Sequence, residues 1–299
     1  MNTATKDDAR QRWWARLQKV PGAGFLFAVI PLTVLGYWGW YSYGAVHLDR
    51  ALYSLKLENL AVTPQPEWVG GDVAQEVFTQ ARLDRLSLLD PTAAASIAQA
   101  FEAHQWVKSA ARVTKEAGGK VRVDLVYRRP LAMVYYAPAT DPSGATTPAG
   151  FFPVDDEAIV LPTRDFDGRK VFDFFLIFAD GARPSGDIGM PFGDPRIVDA
   201  VELCRYLEAD RQRLGLKEIW IEPSPRRATG ARPWTLIVVT DTERRIIWGE
   251  PPSSDLAIEP TPSQKREMMI AHLQGDATSA ATIDLRSLAS SKPVAAPSK

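Results

Sequence analysis

From Val20 to Leu48 the chain carries no Asp, Glu, Lys or Arg, and Phe25–Val46 reads FLFAVIPLTVLGYWGWYSYGAV. A helix rising 1.5 Å per residue crosses a hydrocarbon layer of about 30 Å in roughly 20 residues, so the pattern predicts a transmembrane helix over 24–46. Tyr37, Trp38, Trp40, Tyr41 and Tyr43 crowd its second half, where aromatic rings suit a membrane interface. Pro31 is tolerated in such spans. A cleaved signal peptide has a shorter apolar region, about 7–15 residues, so the run reads as a retained anchor. Lys6, Arg10, Arg12, Arg16 and Lys19 precede it. The excess of positive charge places residues 1–23 in the cytoplasm and the rest of the chain beyond the membrane.

Downstream the period changes. Tyr53–Val62 alternates as a strand, Gly70-Gly71 interrupts, and Asp72 is placed to cap a helix over Val73–Ala81. Asp90-Pro91 predicts a second helix start, running to about His104 with Ile97 and Phe101 on one face. Ala110–Lys115 and Lys120–Arg129 form a hairpin about Ala117-Gly118-Gly119, with Val121, Val123, Leu125 and Tyr127 on one side. This is a small β-α-α-β-β module over 47–130. Beyond it, 131–288 reads as a mixed β domain. Its strands are Leu131–Tyr136, Phe151–Val154, Ala158–Leu161, Val171–Phe178, Glu218–Glu222, Trp234–Thr240, Arg244–Trp248 and Ala281–Leu285. Its helices open at Asp194-Pro195, running to about Leu214 with a stripe of Ile197, Val198, Val201, Cys204 and Leu207, and at Pro262-Ser263, running to Gln274. The fold class expected is α+β, and residues 289–299 read as a disordered tail.

Composition narrows the function. With 35 Lys+Arg against 36 Asp+Glu the net charge is -1, a balance that gives no electrostatic argument for nucleic acid. One cysteine excludes an intramolecular disulfide and any Cys-x-x-Cys site, and three histidines leave little material for a metal centre. No phosphate-loop, dinucleotide, zinc-protease or nucleophile-elbow pattern occurs. Asp155-Asp156-Glu157 and Asp165/Asp167 read as solvated turn carboxylates rather than a glycosidase pair. Arg226, Arg227, Arg232, Arg244 and Arg245 read as a solvated basic face, with contact to anionic envelope polymer or lipid headgroups as the alternative. Cys204 is read as buried and inert, and His104 as a cap on a helix carbonyl. These readings point to a non-enzymatic protein with no catalytic, cofactor or metal site.

Four short motifs occur in order. They are Leu89-Asp90 before a helix with Trp106-Val107 after it, Arg129-Pro130-Leu131-Ala132, Phe152-Pro153-Val154-Asp155 through Leu161-Pro162, and Ile283-Asp284-Leu285-Arg286. Together, behind an N-terminal apolar run, they resemble the FtsQ/DivIB family of bacterial cell-division proteins over about residues 10–288. The chain departs from the family pattern at Gln105 (for Pro), at Glu157-Ala158 (for a turn glycine) and at Ser287 (for Tyr). Leu288 leads straight into the tail, and Asp165–Pro195 is longer than typical. The resemblance implies a short cytoplasmic tail, one span, a POTRA domain and a β domain, located in the inner membrane at the division septum. It implies FtsB- and FtsL-like partners and, through them, the septal peptidoglycan synthases. The last strand signal, Thr282, Ile283, Asp284, Leu285, Arg286 and Ser287, is the expected partner edge, docking a segment by strand addition. The runner-up reading is a POTRA-bearing factor of envelope assembly or protein transport. Transporters of that kind carry a barrel of many alternating strands, which this chain lacks. An anchored envelope enzyme is a third class, to be distinguished by a closed polar pocket.

Overall fold

Alternating apolar and polar residues build the first module's sheet. A computed structural model of the 299-residue chain describes residues 23–44, 53–140, 146–166, 168–224, 230–254, 259–275 and 282–287. In β3 (Lys120–Tyr127) the side chains of Val121, Val123 and Leu125 are buried while Lys120, Arg122 and Asp124 face solvent. β3 pairs antiparallel with β2 (Val107–Glu116) and parallel with β1 (Leu60–Val62), giving the order β1-β3-β2. Two helices cover the apolar face. In α2 (Val73–Gln80), the Asp72 side chain accepts from Gln75 N at 3.0 Å, as a capping carboxylate should. α3 (Ala93–Glu102) buries Ala93, Ile97 and Phe101 fully, and Ile97 and Phe101 share a core with Val121, Val123 and Leu125. The predicted strand over 53–62 survives only as its last three residues, because Leu57–Asn59 winds into a 3-10 turn. The second helix starts at Ala93, since the Asp90 carboxylate folds back on Thr92 N and hydroxyl and holds Pro91-Thr92 as a turn.

The second sheet has seven strands in the order β12-β11-β10-β9-β8-β4-β7. These are β4 (Ala132–Tyr136), β7 (Gly150–Val154), β8 (Phe175–Ala179), β9 (Leu216–Pro223), β10 (Trp234–Thr240), β11 (Arg245–Gly249) and β12 (Ile283–Asp284); β5 (Ala139–Thr140) and β6 (Thr146–Thr147) form a separate small hairpin. β4, β8 and β9 run parallel, β10 is antiparallel to β9 and β11, and β12 lies parallel to β11. One face packs Val134, Ile177, Ile219, Val238 and Trp248 against α4 (Pro195–Leu207) and Met269 of α5 (Pro262–Gln274). Cys204 lies in this core, where burial pushes its thiol pKa up, away from thiolate reactivity. Val198, expected on the buried stripe, faces solvent. The predicted strand 171–178 begins at Phe175, because Lys170–Asp173 is a 3-10 turn. The α4 helix stops at Leu207 and tightens into a 3-10 turn over Glu208–Asp210.

The fold-class expectation needs one correction. The N-terminal helix α1 is Ala23–Gly39, 17 residues with Pro31 inside, and the chain changes to a π-helical turn over Trp40–Gly44. At 1.5 Å per residue α1 is about 26 Å long, short of the hydrocarbon core. Among the described residues no helix is long and apolar enough to cross a membrane. The apolar run counted in the sequence is longer than the single α-helix it forms, because its aromatic end adopts a different winding. The predicted tails, 1–23 and 289–299, lie outside the described residues except for Ala23.

Candidate functional site

The expected partner edge is an outer strand of the second sheet, but it is short. Where the sequence suggests a strand over Ala281–Leu285, the ladder among the described residues is Ile283–Asp284, paired as Ile246↔Ile283 and Ile247↔Asp284. Leu285 N donates to Ile247 O at 3.0 Å and closes the strand against β11. Alternation follows: Ile283 and Leu285 are buried, while Thr282, Asp284, Arg286 and Ser287 are half-buried. Ser287 lies beyond the ladder, so it is no strand donor. The strand ends early because Asp284 turns on its neighbour. Its Oδ1 accepts from Arg286 N (3.0 Å) and Nε (2.8 Å), and its Oδ2 from Arg286 Nη2 (2.6 Å). That side-chain capture takes the Arg286 backbone N–H out of any ladder, and the hydrogen bond to Asp284 raises the guanidinium pKa.

A polar cluster fixes this edge from behind. Gly249 has φ 94°, and a Cβ there would meet Glu259 Oε2 at 2.3 Å and Arg286 Cγ at 2.8 Å, so only glycine lets both side chains close on the end of β11. Lys265 of α5 is 3% exposed and donates to Glu259 Oε2 at 2.6 Å, with its ammonium 5.4 Å from the Trp248 ring centre. Burial lowers the Lys265 pKa and raises that of Glu250, whose carboxylate accepts from Arg232 N at 3.0 Å. The arrangement pins α5 to the β10–β11 end; it serves the edge as a rigid backing.

The charged clusters singled out in the sequence behave otherwise than expected. Asp155 is fully buried rather than solvated. Its Oδ1 accepts from Glu157 N and Ile159 N, both at 2.9 Å, and its Oδ2 from Arg128 Nη1 at 2.5 Å. Asp156 meets Lys108 at 2.9 Å. Asp165 accepts from the indole N–H of buried Trp106 at 2.8 Å and packs so close to Gly70 that a Cβ there would lie 2.1 Å from its Oδ1. Asp167 lies outside the described residues. These acids tie the second region to the first. His104 accepts from Trp106 N at 3.3 Å through Nδ1 and meets Glu76 at 3.3 Å through Nε2, so it does not cap a carbonyl. Arg226 and Arg227 lie outside the described residues. Arg232 pairs with Asp199 and Arg245 with Glu222, while Arg244 donates to His272 O, so the expected basic face is divided among separate partners. The sequence carried one usable sign of the Asp155 role: an Asp opening a turn, two and four residues before free backbone N–H groups, is an Asx-turn former. The arginine that neutralises it, 27 positions earlier, has no local signature.

No family model matches the chain, and no curated protein matches it in sequence.

Proposed function

We propose that this chain is a non-enzymatic scaffold of the bacterial cell-division machinery, of the FtsQ/DivIB type, which links division proteins at the septum by extracytoplasmic contacts. The observation that supports the reading best is a conjunction. A helix-covered three-stranded module is followed by a seven-stranded mixed sheet, and Ile283-Asp284, the first half of the motif Ile283-Asp284-Leu285-Arg286, forms an outer strand of that sheet. Scaffolding of this kind needs no reaction centre. It works by position: two partners held on one rigid body see each other at raised effective concentration. Here the long outer strand β2 of the first module and β12 of the second sheet offer two docking edges. The FtsB- and FtsL-like proteins are the proposed partners, with septal peptidoglycan synthases joined through them, on the outer side of the cytoplasmic membrane.

The experiment is purification of the full chain from solubilised envelopes, asking whether FtsB- and FtsL-like proteins accompany it. Thr282→Lys places a charge at the start of the outer strand, where lysine discourages strand addition. Capture should fall about tenfold or more, with an unchanged melting midpoint. Capture equal to that of the unaltered protein would remove β12 as the docking edge, and absence of both partners would remove the scaffold reading. A reporter active only outside the cytoplasm, fused after Lys299, tests the location separately.

A further inference from the structure

The three parallel strands β4, β8 and β9 end together at a cleft of about 560 Å³ that no residue of β12 lines. Crevices beyond the carboxyl ends of parallel strands are natural ligand sites, and this volume lies in the range of small-ligand pockets. Its wall is aromatic. Phe178 and Trp220 stack with ring centres 4.6 Å apart and 19° between planes, and Tyr135 continues the row 5.4 Å from Phe178. All three rings are half-buried, so each still shows a face or edge to solvent. Across the cleft the Arg183 guanidinium lies 4.8 Å from the Tyr136 ring centre and donates one N–H to Ala137 O at 2.7 Å. On the rim, the exposed Asp180 carboxylate makes no close ion pair among the described residues; Arg196 donates to its backbone oxygen at 3.0 Å and feels the carboxylate charge from further away. Glu222, also on the rim, is already paired with Arg245.

We propose that this cleft binds an extended proline-rich segment of a partner protein, one that carries a lysine or arginine beside its prolines. The chemistry selects that occupant. Proline rings present apolar faces to aromatic walls, and a polyproline II strand is pre-ordered, so little entropy is lost on docking. Proline brings no N–H, so it makes no demand on the rim carboxylates of Asp180 and Glu222. Its carbonyl oxygens need a few donors, which the remaining N–H groups of Arg183 provide. The Trp220 indole N–H is already given to Glu218 at 2.8 Å and is not available. A glycan would set several hydroxyl groups against a wall that is mostly ring, at a cost for each one unmatched. Asp180 supplies the countercharge for the basic residue. The site is distinct from β12 and does not depend on the division reading.

The test is calorimetric titration of the full chain with three probes: acetylated hexaproline ending in lysine, the same peptide ending in glutamate, and a tetramer of N-acetylglucosamine. The lysine peptide should bind saturably and about fivefold more tightly than the glutamate peptide. Trp220→Leu should weaken the lysine peptide about tenfold or more. Asp180→Asn, at an exposed position, should abolish the preference between the two peptides while leaving the melting midpoint unchanged. Should Trp220→Leu not fold, the Asp180→Asn comparison decides. No saturable binding of the lysine peptide, equal affinity for both peptides in the unaltered protein, or saturation by the sugar alone would overturn the proposal.

Discussion

Asp155 stands in an acidic triplet that reads as a surface turn, yet its carboxylate is sealed from solvent with two backbone N–H groups and the Arg128 guanidinium as partners. A buried charge is tolerable only with its countercharge in place, so removing one member strands the other. Asp155→Ala should therefore cost about 3–5 kcal/mol. Its neighbour Asp156 has a 39% exposed side chain and faces a 30% exposed Lys108. Asp156→Ala should cost less than about 1 kcal/mol, as solvent-screened pairs do. Denaturant midpoints of the two variants check the contrast, and equal losses would show that burial is not what matters. In the same turn Ala158 occupies a left-handed conformation, φ 58°, a region that favours glycine. Glu243 is the other instructive case. It sits at φ 61° in the exposed turn joining β10 to β11, with Glu243 N donating to Thr240 O. Its side chain is exposed, so Glu243→Gly relieves backbone strain and loses no packing. A gain of about 1 kcal/mol is expected, read as a higher melting midpoint.

At the scale of elements, α3 is held by one face. Phe101 and Ile97 are fully buried against the β3 side chains, so Phe101→Ala should cost about 3–5 kcal/mol through lost burial and a residual cavity. An unchanged midpoint would mean that the helix is held elsewhere. The end of α4 is held differently. Asp210, nearly buried in the 3-10 turn, accepts from Arg266 of α5 at 2.5 Å and from Arg213 at 2.7 Å. The Arg266 hydrogen bond leads in pulling the Asp210 carboxyl below its usual pKa. A carboxyl depressed in the folded state stabilises above its unfolded pKa, about 3.9, and that stability is lost as pH falls through the folded value. Acid unfolding below about pH 4 should thus be shallower in Asp210→Asn than in the unaltered protein. Such elements also show what the sequence could tell. Strict alternation in 120–127 and the Asp-Pro start at 194 were legible, because local period and capping decide them. The strand at 53–62 and the C-terminal end of the strand at 281–285 both shrank, because a 3-10 turn and the Asp284–Arg286 clamp compete with ladder hydrogen bonds in ways that period alone does not reveal. Most of the candidate edge was legible as a position; its backing by Gly249, Glu259 and Lys265 joins residues scattered along the chain and was not.

Whether the two sheets act as one body decides how a scaffold could work, since partners on β2 and β12 are kept at a set spacing only if the joint between modules is stiff. The joint is dense. Leu161, from the second region, is fully buried in the first module's core, beside Trp106. Trp106 in turn gives its indole N–H to Asp165, Lys108 reaches Asp156, and Arg128 reaches Asp155. Apolar burial fused with a buried charge pair makes separate melting of the modules costly, because opening the joint exposes Leu161 and Trp106 and strands the Arg128–Asp155 pair together. Calorimetry of the full chain should therefore show both modules melting in one cooperative transition. Trp106→Phe keeps the ring buried but deletes the donor to Asp165, which should lower stability by about 1–2 kcal/mol without splitting that transition. Adding Asp155→Ala removes the charged tie as well, and the heat-capacity trace should then separate into two steps. Two steps in the unaltered protein would mean that the modules are joined loosely. In that case the fixed spacing of the two edges could not be the basis of scaffolding, and each edge would have to recruit its partner alone.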